Sequence, residues 1–406
     1  MQLRAARLQV VGFGPAALGI PIAADRAGLL DDLMREGCVF IDRRARGEWR
    51  SLDYDIRSNS VAGDFLEGLS PDGRLRTVLR SPEARALQEA PDQPVALRVA
   101  ARFLARTARE IADYTVRFDG AHTHFSTVVD HLRRDADGLF HSRDARGRTL
   151  ALSRSAVIAV GARPRADAAP RTVTSEAVLR RECDARCEAA AAAGVTIDVL
   201  GGSHSAFSTV GLLLREWGHL LRPGQIRVHT RSEVLVYRPQ ARAAAADGRT
   251  GAAGGTPGPG SAPATAAPAT AAPGTRPLHR FAGLRGESEA LYRAVRCGAE
   301  PRVRLLRHPE EAGPAASPLT IAATGYRARR LPVLDARGEP LFPPGEAAVD
   351  DEGRVLDGRG RPVPGLFGIG LGHCSPAGPE GGGGDYPMAA VNIFHGRTAD
   401  RITAQL

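Results

Sequence analysis

The sequence predicts an α/β chain of two Rossmann-like βαβ units, the second inserted into the first, with a small β-meander between them. Three observations predict it. A glycine turn at Gly12–Gly14 follows an apolar run and precedes a helix-compatible one. A second turn of small residues, Gly201 to Ala206, repeats the arrangement later in the chain. Further apolar runs end in small-residue turns at Gly161, Gly325 and Gly370. Strand, turn and helix in that order read as a parallel sheet with crossover helices.

Composition bounds the rest. At 406 residues the chain can bury a large core and divide into two or three domains. The net charge of +9 rests on 54 basic residues, every one an arginine. A chain without lysine points to GC-rich codon usage, and the arginines form no blocks alternating with aromatics, so no nucleic-acid partner is expected. No apolar stretch approaches about 18 uninterrupted residues, so no membrane span is expected. Arg4 and Arg7 precede an apolar run as in a secretory leader, but Gly12, Gly14, Pro15 and Gly19 interrupt it. Five cysteines, odd in number and without a Cys-x-x-Cys pair, fit a reducing, cytoplasmic setting with neither a redox disulfide nor a metal site.

Leu8 to Val11 reads as a buried strand and Ala16 to Ala24 as the helix after it. Gly12 permits the tight turn, and Gly14 lets a pyrophosphate approach the backbone beside Pro15. Small Ala17 and Gly19 let the helix lie against the strand, and the helix start offers free N–H groups to phosphate. Cys38 to Asp42 is a second apolar strand ending in a carboxylate, where such units place a ribose-binding acid; 30 residues separate Gly12 from Asp42. Arg43 follows the acid, and Trp49 a little later either caps a core or lines a pocket with its flat ring.

Residues 94–116 show a helical pattern with Leu97, Ala101, Leu104, Ala108 and Ile111 on one face. Residues 125–132, 138–143 and 149–152 read as the meander, with Val129 placed to pass an adenine. Ala156 to Val160 is an apolar strand closed by Gly161, where a missing side chain avoids a clash with a bound dinucleotide.

The second unit opens with a strand at 195–200. Gly201, Gly202, Ser203, Ser205 and Ala206 then supply small groups and hydroxyls at the start of a helix over 207–221. His204 is read as a turn residue, with a catalytic acid as the alternative. The strand 225–230 ends at Arg231 instead of an acid, which suits a 2′-phosphate and favours NADPH over NADH. Residues 241–275 are low-complexity Ala/Pro/Gly/Thr, too poor in apolar bulk to offset ordering entropy, so a disordered insertion is expected. A helix near 287–297 and a strand at 302–307 follow. Two elements close the chain: a strand from Leu319 into Thr324-Gly325-Tyr326, and Leu366 to Gly370 leading through Asp385-Tyr386-Pro387 to a helix over about 388–405.

That order of motifs resembles the flavoproteins with two dinucleotide-binding domains. Within them it resembles the class B flavin monooxygenases, closest to those that N-hydroxylate lysine or ornithine. The resemblance covers all but residues 241–275. Gly12, Gly14 and Gly19 match the FAD glycines, and Asp42 stands where the family usually has glutamate. Gly47-Glu48-Trp49 is similar to a Gly-Gly-x-Trp run. Gly201, Gly202, Ser203, Ser205 and Ala206 match the NADPH turn, Ala323-Thr324-Gly325-Tyr326 an Ala-Thr-Gly-Tyr motif, and Gly370 a late glycine near the flavin. The His-x-x-x-Trp signature is missing; Arg171 to Ser175 stands in its place. No lysine- or ornithine-binding pattern is recognisable either.

The resemblance implies a discontinuous FAD domain (1–165 and 319–406) and an inserted NADPH domain (190–318). It implies an FAD-dependent, NADPH-using monooxygenase that hydroxylates a small nucleophilic substrate, amine or amino-acid-derived, through a flavin hydroperoxide. The cofactor carries the hard chemistry, which accounts for the absence of an acid/base triad. Trp49, Asn59, Ser60, Asp64 and Tyr386 are the candidate pocket residues by their place beside the cofactor motifs. O₂ is a co-substrate, the substrate can be free or carrier-bound, and a homo-oligomer is compatible. The alternatives are a flavin oxidoreductase that inserts no oxygen and a non-catalytic flavoprotein-like partner.

Overall fold

Cys38–Ile41 is buried at every residue and Ala6–Val11 at all but one, as parallel strands covered on both faces must be. These two strands lie at the centre of the larger sheet. In the computed structural model, which describes residues 4–48, 52–165, 172–236, 283–307, 317–342, 348–373 and 391–406, that sheet has nine strands. Its path runs Val333–Leu334, His131–Arg134, Phe140–Arg143, Thr149–Ile158, Ala6–Val11, Cys38–Ile41, His122–His124. Pro362–Gly368 joins it alongside the end of Thr149–Ile158, with Arg354–Leu356 outside it.

One face of the sheet is covered by the helices Gly19–Arg26, Leu30–Glu36 and Leu97–Thr115, which share a core with Leu8, Val10, Phe40 and Val157. Leu97–Thr115 turns Phe103, Leu104, Ala108 and Ile111 inward at three- and four-residue spacing. Each of the larger ones contributes about 1.5–3 kcal/mol by leaving water. The other face carries the meander, where Leu132, Phe140, Ile158 and Leu366 pack together.

The second sheet has five parallel strands in the order Thr172–Thr174, Leu319–Ala322, Ile197–Leu200, Ile226–Thr230, Val303–Arg307. The helix His204–Trp217 packs on it, with Phe207, Val210, Leu213 and Trp217 in its core. An antiparallel ribbon, Ala162–Pro164 with Tyr326–Ala328, joins the strand ends of the two sheets.

Several expectations are revised. The two strands expected at 149–152 and 156–160 are one strand, Thr149–Ile158. Its central serines stay in the ladder because Ser153 pairs with Phe140 on one side and Ala6 on the other. The strand expected over 125–132 starts only at His131 and runs to Arg134; Ser126 takes a left-handed φ of +52°, which separates it from His122–His124. Leu319–Ala322 belongs to the second sheet, so the chain returns to the first sheet only after the ribbon. The terminal helix is described from Val391 and is interrupted by a π turn at Phe394–Thr398, where Gly396 leaves helical geometry. No helix among the described residues is long and apolar enough to cross a membrane. Residues 241–275, Trp49, Tyr386 and Pro387 lie outside the described residues.

Candidate functional site: two glycine turns

The two turns are built alike. Gly12 has φ of +98° and Gly201 of +129°, conformations in which only glycine is at ease. A Cβ on Gly12 would stand 2.4 Å from the Ala159 carbonyl oxygen, and one on Gly201 would stand 2.4 Å from that of Ala323. In the first turn Gly12 N–H donates to Ile41 O and Ala159 N–H to Val11 O, each at 2.8 Å. In the second, Gly201 N–H donates to His229 O and Ala323 N–H to Leu200 O, again at 2.8 Å. In both places the centre strand ends in a glycine so that its neighbour's backbone can close over it.

Beyond Gly12 the chain winds tightly. Ala17 N–H donates to Gly14 O at 2.9 Å, Gly19 N–H to Ala16 O at 3.1 Å and Ile20 N–H to Ala17 O at 3.2 Å. These three-residue hydrogen bonds delay the α-helix from the expected Ala16 to Gly19. Ala17 is fully buried. Gly19 serves a contact other than the expected one with the strand: its Cβ would meet the Phe394 carbonyl oxygen at 2.4 Å, so it admits the C-terminal segment. Pro15 is tied to that segment too, its carbonyl oxygen 2.7 Å from His395 Nε2. Gly370, with φ of +98°, fits against Ala16, which its Cβ would approach to 3.0 Å. Gly161 and Gly325 have left-handed φ, and a Cβ on either would meet nothing within 4 Å, so both border open space.

Asp42 is buried, and four donors surround its carboxylate. Phe13 N–H reaches Oδ2 at 2.7 Å. The Arg44 amide reaches Oδ1 at 2.8 Å, Arg44 Nε reaches Oδ1 at 3.0 Å, and Arg44 Nη2 reaches Oδ2 at 2.8 Å. Burial alone would raise this carboxyl; the Arg44 guanidinium and the amide donors outweigh it and hold it below the ordinary carboxylate range. Thr127 N–H donates to Asp42 O and Ser126 N–H to Arg44 O, so the loop carrying half-buried Val129 is fastened beside the acid. Arg43 is exposed.

At the second turn Ser203 is the N-cap of His204–Trp217, and its hydroxyl makes no capping bond. Ser205 is in the first turn of the helix with Ala206 buried beside it, and Gly202 lies against Thr230 and Val234. Arg231 is exposed at the end of Ile226–Thr230. His204 is not a turn residue but the first residue of the helix. Its Nε2 donates to Gly283 O at 2.9 Å, and burial pushes its pKa down, so the ring is neutral and fastens the returning chain. Thr324 Oγ1 donates to Arg165 O at 3.2 Å, locking the start of the ribbon.

Three sequence-predicted pocket residues fall within the described chain. Asn59 is exposed, while Ser60 and Asp64 are half-buried. Of these only Asn59 lines the cavity of about 480 Å³ that opens between the strand pair Arg57–Val61/Pro94–Ala96 and the helices His204–Trp217 and Gly286–Arg296. Its wall mixes charge and apolar surface, with Arg57, Arg215, Glu287, Phe207 and Leu291 contributing. Sequence reading missed the Arg44 fork on Asp42, although an arginine two residues after a strand-end acid is a visible signal. It also missed the approach of Tyr54 to Tyr326, where loss of water around the hydroxyls pushes both phenols up and Tyr54 adds to the rise of Tyr326; Arg180 lies over the Tyr54 ring at 5.3 Å. Nothing in the sequence places residues 54 and 326 together.

No family model matches the sequence, and no curated protein matches it. Solved structures do match in fold over nearly the whole chain. The ornithine N-hydroxylase of Kutzneria sp. 744, solved with reduced FAD, NADP+ and L-ornithine, is 16% identical with a TM-score of 0.59, over 99% of each chain. The L-lysine 6-monooxygenase of Pseudomonas syringae is 16% identical with a TM-score of 0.59, covering 99% of this chain and 100% of that one. The cadaverine monooxygenase of desferrioxamine biosynthesis from Erwinia amylovora, solved bound to FAD, is 13% identical with a TM-score of 0.59, over 99% and 95%. At these identities the likeness is one of fold.

Proposed function

We propose that this chain is an FAD-dependent, NADPH-using monooxygenase that hydroxylates a small nucleophilic substrate, an amine or amino-acid derivative. The observation that carries the reading is the doubled glycine turn, one at the centre of each sheet. In open parallel sheets ligands bind outside the carboxyl ends of the strands, and both turns stand there. Two copies of one nucleotide-binding device in a single chain suit a flavin and its reductant. The fold shared with an ornithine N-hydroxylase, an L-lysine 6-monooxygenase and a cadaverine monooxygenase supports the same reading.

The residues present fit both groups. At the first turn, Gly12 and Gly14 bring bare backbone to the crevice, Gly161 borders open space, and Arg44 offers a guanidinium. FAD would be held by Gly12, Gly14, Pro15, Arg43, Gly161 and Gly370, with Asp42 and the loop of Val129 beside it. At the second turn the uncapped helix start at Ser203 and Ser205 leaves backbone N–H groups for phosphate, and exposed Arg231 suits a 2′-phosphate. NADPH would be held there, by Gly201, Gly202 and Ala206 as well, with Thr324 and Gly325 at the neighbouring strand end. When bound, the flavin supplies hydride acceptance and oxygen activation.

The protein's part is to bind, orient and exclude water. The cavity beside Asn59 is the candidate substrate site; Arg57 and Arg215 suit a carboxylate, Glu287 an ammonium group, and Phe207 and Leu291 the carbon chain between them. Ser60 belongs to the same strand pair, and Asp64 to the short helix Ala62–Leu66 that follows it.

The test begins with purified protein: yellow colour or FAD uptake, then NADPH oxidation screened over diamines, amino acids and aromatics. Incorporation of ¹⁸O from ¹⁸O₂ into a hydroxylated product is the expected result. NADPH oxidation without incorporation would mark a plain flavin oxidoreductase. A colourless chain that takes up no FAD would end the assignment.

A further inference from the structure

The acid at the end of Cys38–Ile41 stands where dinucleotide folds place a ribose ligand, yet its bonding capacity is spent inside the protein. A carboxylate offers about four lone-pair sites, and Asp42 receives four donors at 2.7–3.0 Å, three of them from Arg44. The guanidinium meets the carboxylate as a fork, Nε to Oδ1 and Nη2 to Oδ2, the geometry that fixes an arginine most firmly. So fixed, Arg44 Nη2 comes within 3.6 Å of the point where a Cβ on Gly14 would stand, directly over the turn that admits phosphate.

The surroundings are short of negative charge. Arg43, Arg163 and Arg329 have no carboxylate within salt-bridge distance among the described residues, and Arg163 faces Arg327 directly across the ribbon. Like charges in that position are destabilising. The Arg329 amide is fixed to Gly161 O at 2.9 Å. Burial, then Arg43, Arg163 and Arg44, push the Arg329 guanidinium down, with Glu176 opposing. A group of guanidinium ions at a crevice mouth is relieved by an anion.

We propose that the first turn holds its dinucleotide through Arg44 acting on the pyrophosphate, and that Asp42 is a positioning residue that presents this arginine instead of a ribose ligand. The proposal rests on the reading of the first turn as a dinucleotide site.

The test is a titration of the full-length protein freed of bound nucleotide, with NADP+ at saturation to fill the second turn. The probes are FAD, ADP and adenosine. Arg44→Ala and Arg44→Gln should weaken FAD and ADP by about tenfold to a hundredfold, the range of one charge-assisted hydrogen bond, and leave adenosine unchanged. Asp42→Asn keeps an oxygen to accept the Phe13 N–H, so it should cost part of that loss in the wild-type background and nothing further in Arg44→Ala, the rest of its action running through Arg44. Arg44→Gln keeps donors near Asp42, so a folding defect in Arg44→Ala cannot decide the outcome; thermal melts accompany each titration. If the Arg44 variants bind FAD as well as or better than wild type, and Asp42→Asn weakens adenosine as much as ADP, the carboxylate is the ribose ligand and the proposal is overturned. If the wild-type protein binds neither FAD nor ADP, the dinucleotide reading itself has failed and takes the proposal with it.

Discussion

His395 donates from Nε2 to the carbonyl oxygen of Pro15, 2.7 Å away and 380 residues earlier in the chain. The ring is buried, its Nδ1 has no hydrogen-bond partner among the described residues, and burial pushes its pKa from 6.5 down to about 4. A neutral imidazole with one donor in use is what the site accommodates.

The sign of the pH dependence follows. The unfolded chain takes up a proton near pH 6.5 and the folded one only near 4, so the stabilisation is whole above 6.5 and is lost as pH falls to about 4. The loss is about 3 kcal/mol at most. His395→Gln keeps a donor for Pro15 without the titration. Wild type should therefore lose melting temperature relative to this variant between pH 6.5 and 4, measured by calorimetry; parallel curves would count against it.

The two turns should fail in the same way. Gly12→Ala and Gly201→Ala each combine a left-handed φ with a Cβ pressed on a backbone oxygen that cannot yield, at an expected cost of at least about 3 kcal/mol. Gly47→Ala is the control: its φ is +88° but nothing lies within 4 Å of the added atom, so it should cost only about 1 kcal/mol. Denaturant midpoints for the three variants decide it.

Within the second sheet, Asp198 is fully buried and takes hydrogen bonds from Arg227 Nε at 2.7 Å and His229 Nε2 at 2.8 Å. Burial raises its carboxyl, but Arg227 and His229 together lower it below the usual range. Its stabilisation is thus present above the ordinary carboxylate pKa and lost as pH falls below about 4. Asp198→Ala strands two donors and should cost about 3 kcal/mol at neutral pH, less at pH 3, by denaturant melts.

Arg181 joins parts of the chain that the sheets leave separate. It reaches Asp184 at 2.7 Å, Glu216 at 2.8 Å and Asp55 at 3.3 Å, all partly exposed. Arg181→Ala should lower stability by about 1 kcal/mol in dilute buffer, and the difference from wild type should shrink in about 1 M salt.

The features legible in the sequence are those that local chemistry dictates. Apolar runs that end in glycine gave both sheets, because a buried parallel strand must be apolar throughout and must stop where a backbone closes over it. The helical face of Leu104, Ala108 and Ile111 was equally plain. Partnerships between distant residues were not legible. Gly19 looked like a helix–strand contact because nothing in the sequence announces Phe394, and Asp42 looked available because the side chain of Arg44 can point anywhere until packing fixes it. Leu319–Ala322 was joined to the wrong sheet for the same reason, since apolar strands of equal length carry no label for their neighbour.

The seating of Phe394, His395 and Ala399 against the helix after Gly19 makes one brace of two stretches 380 residues apart. The helix behind the first glycine turn is therefore only as firm as that distant segment's hold on it. A substitution that loosens the segment will be felt at the turn, across a long loop of intervening chain.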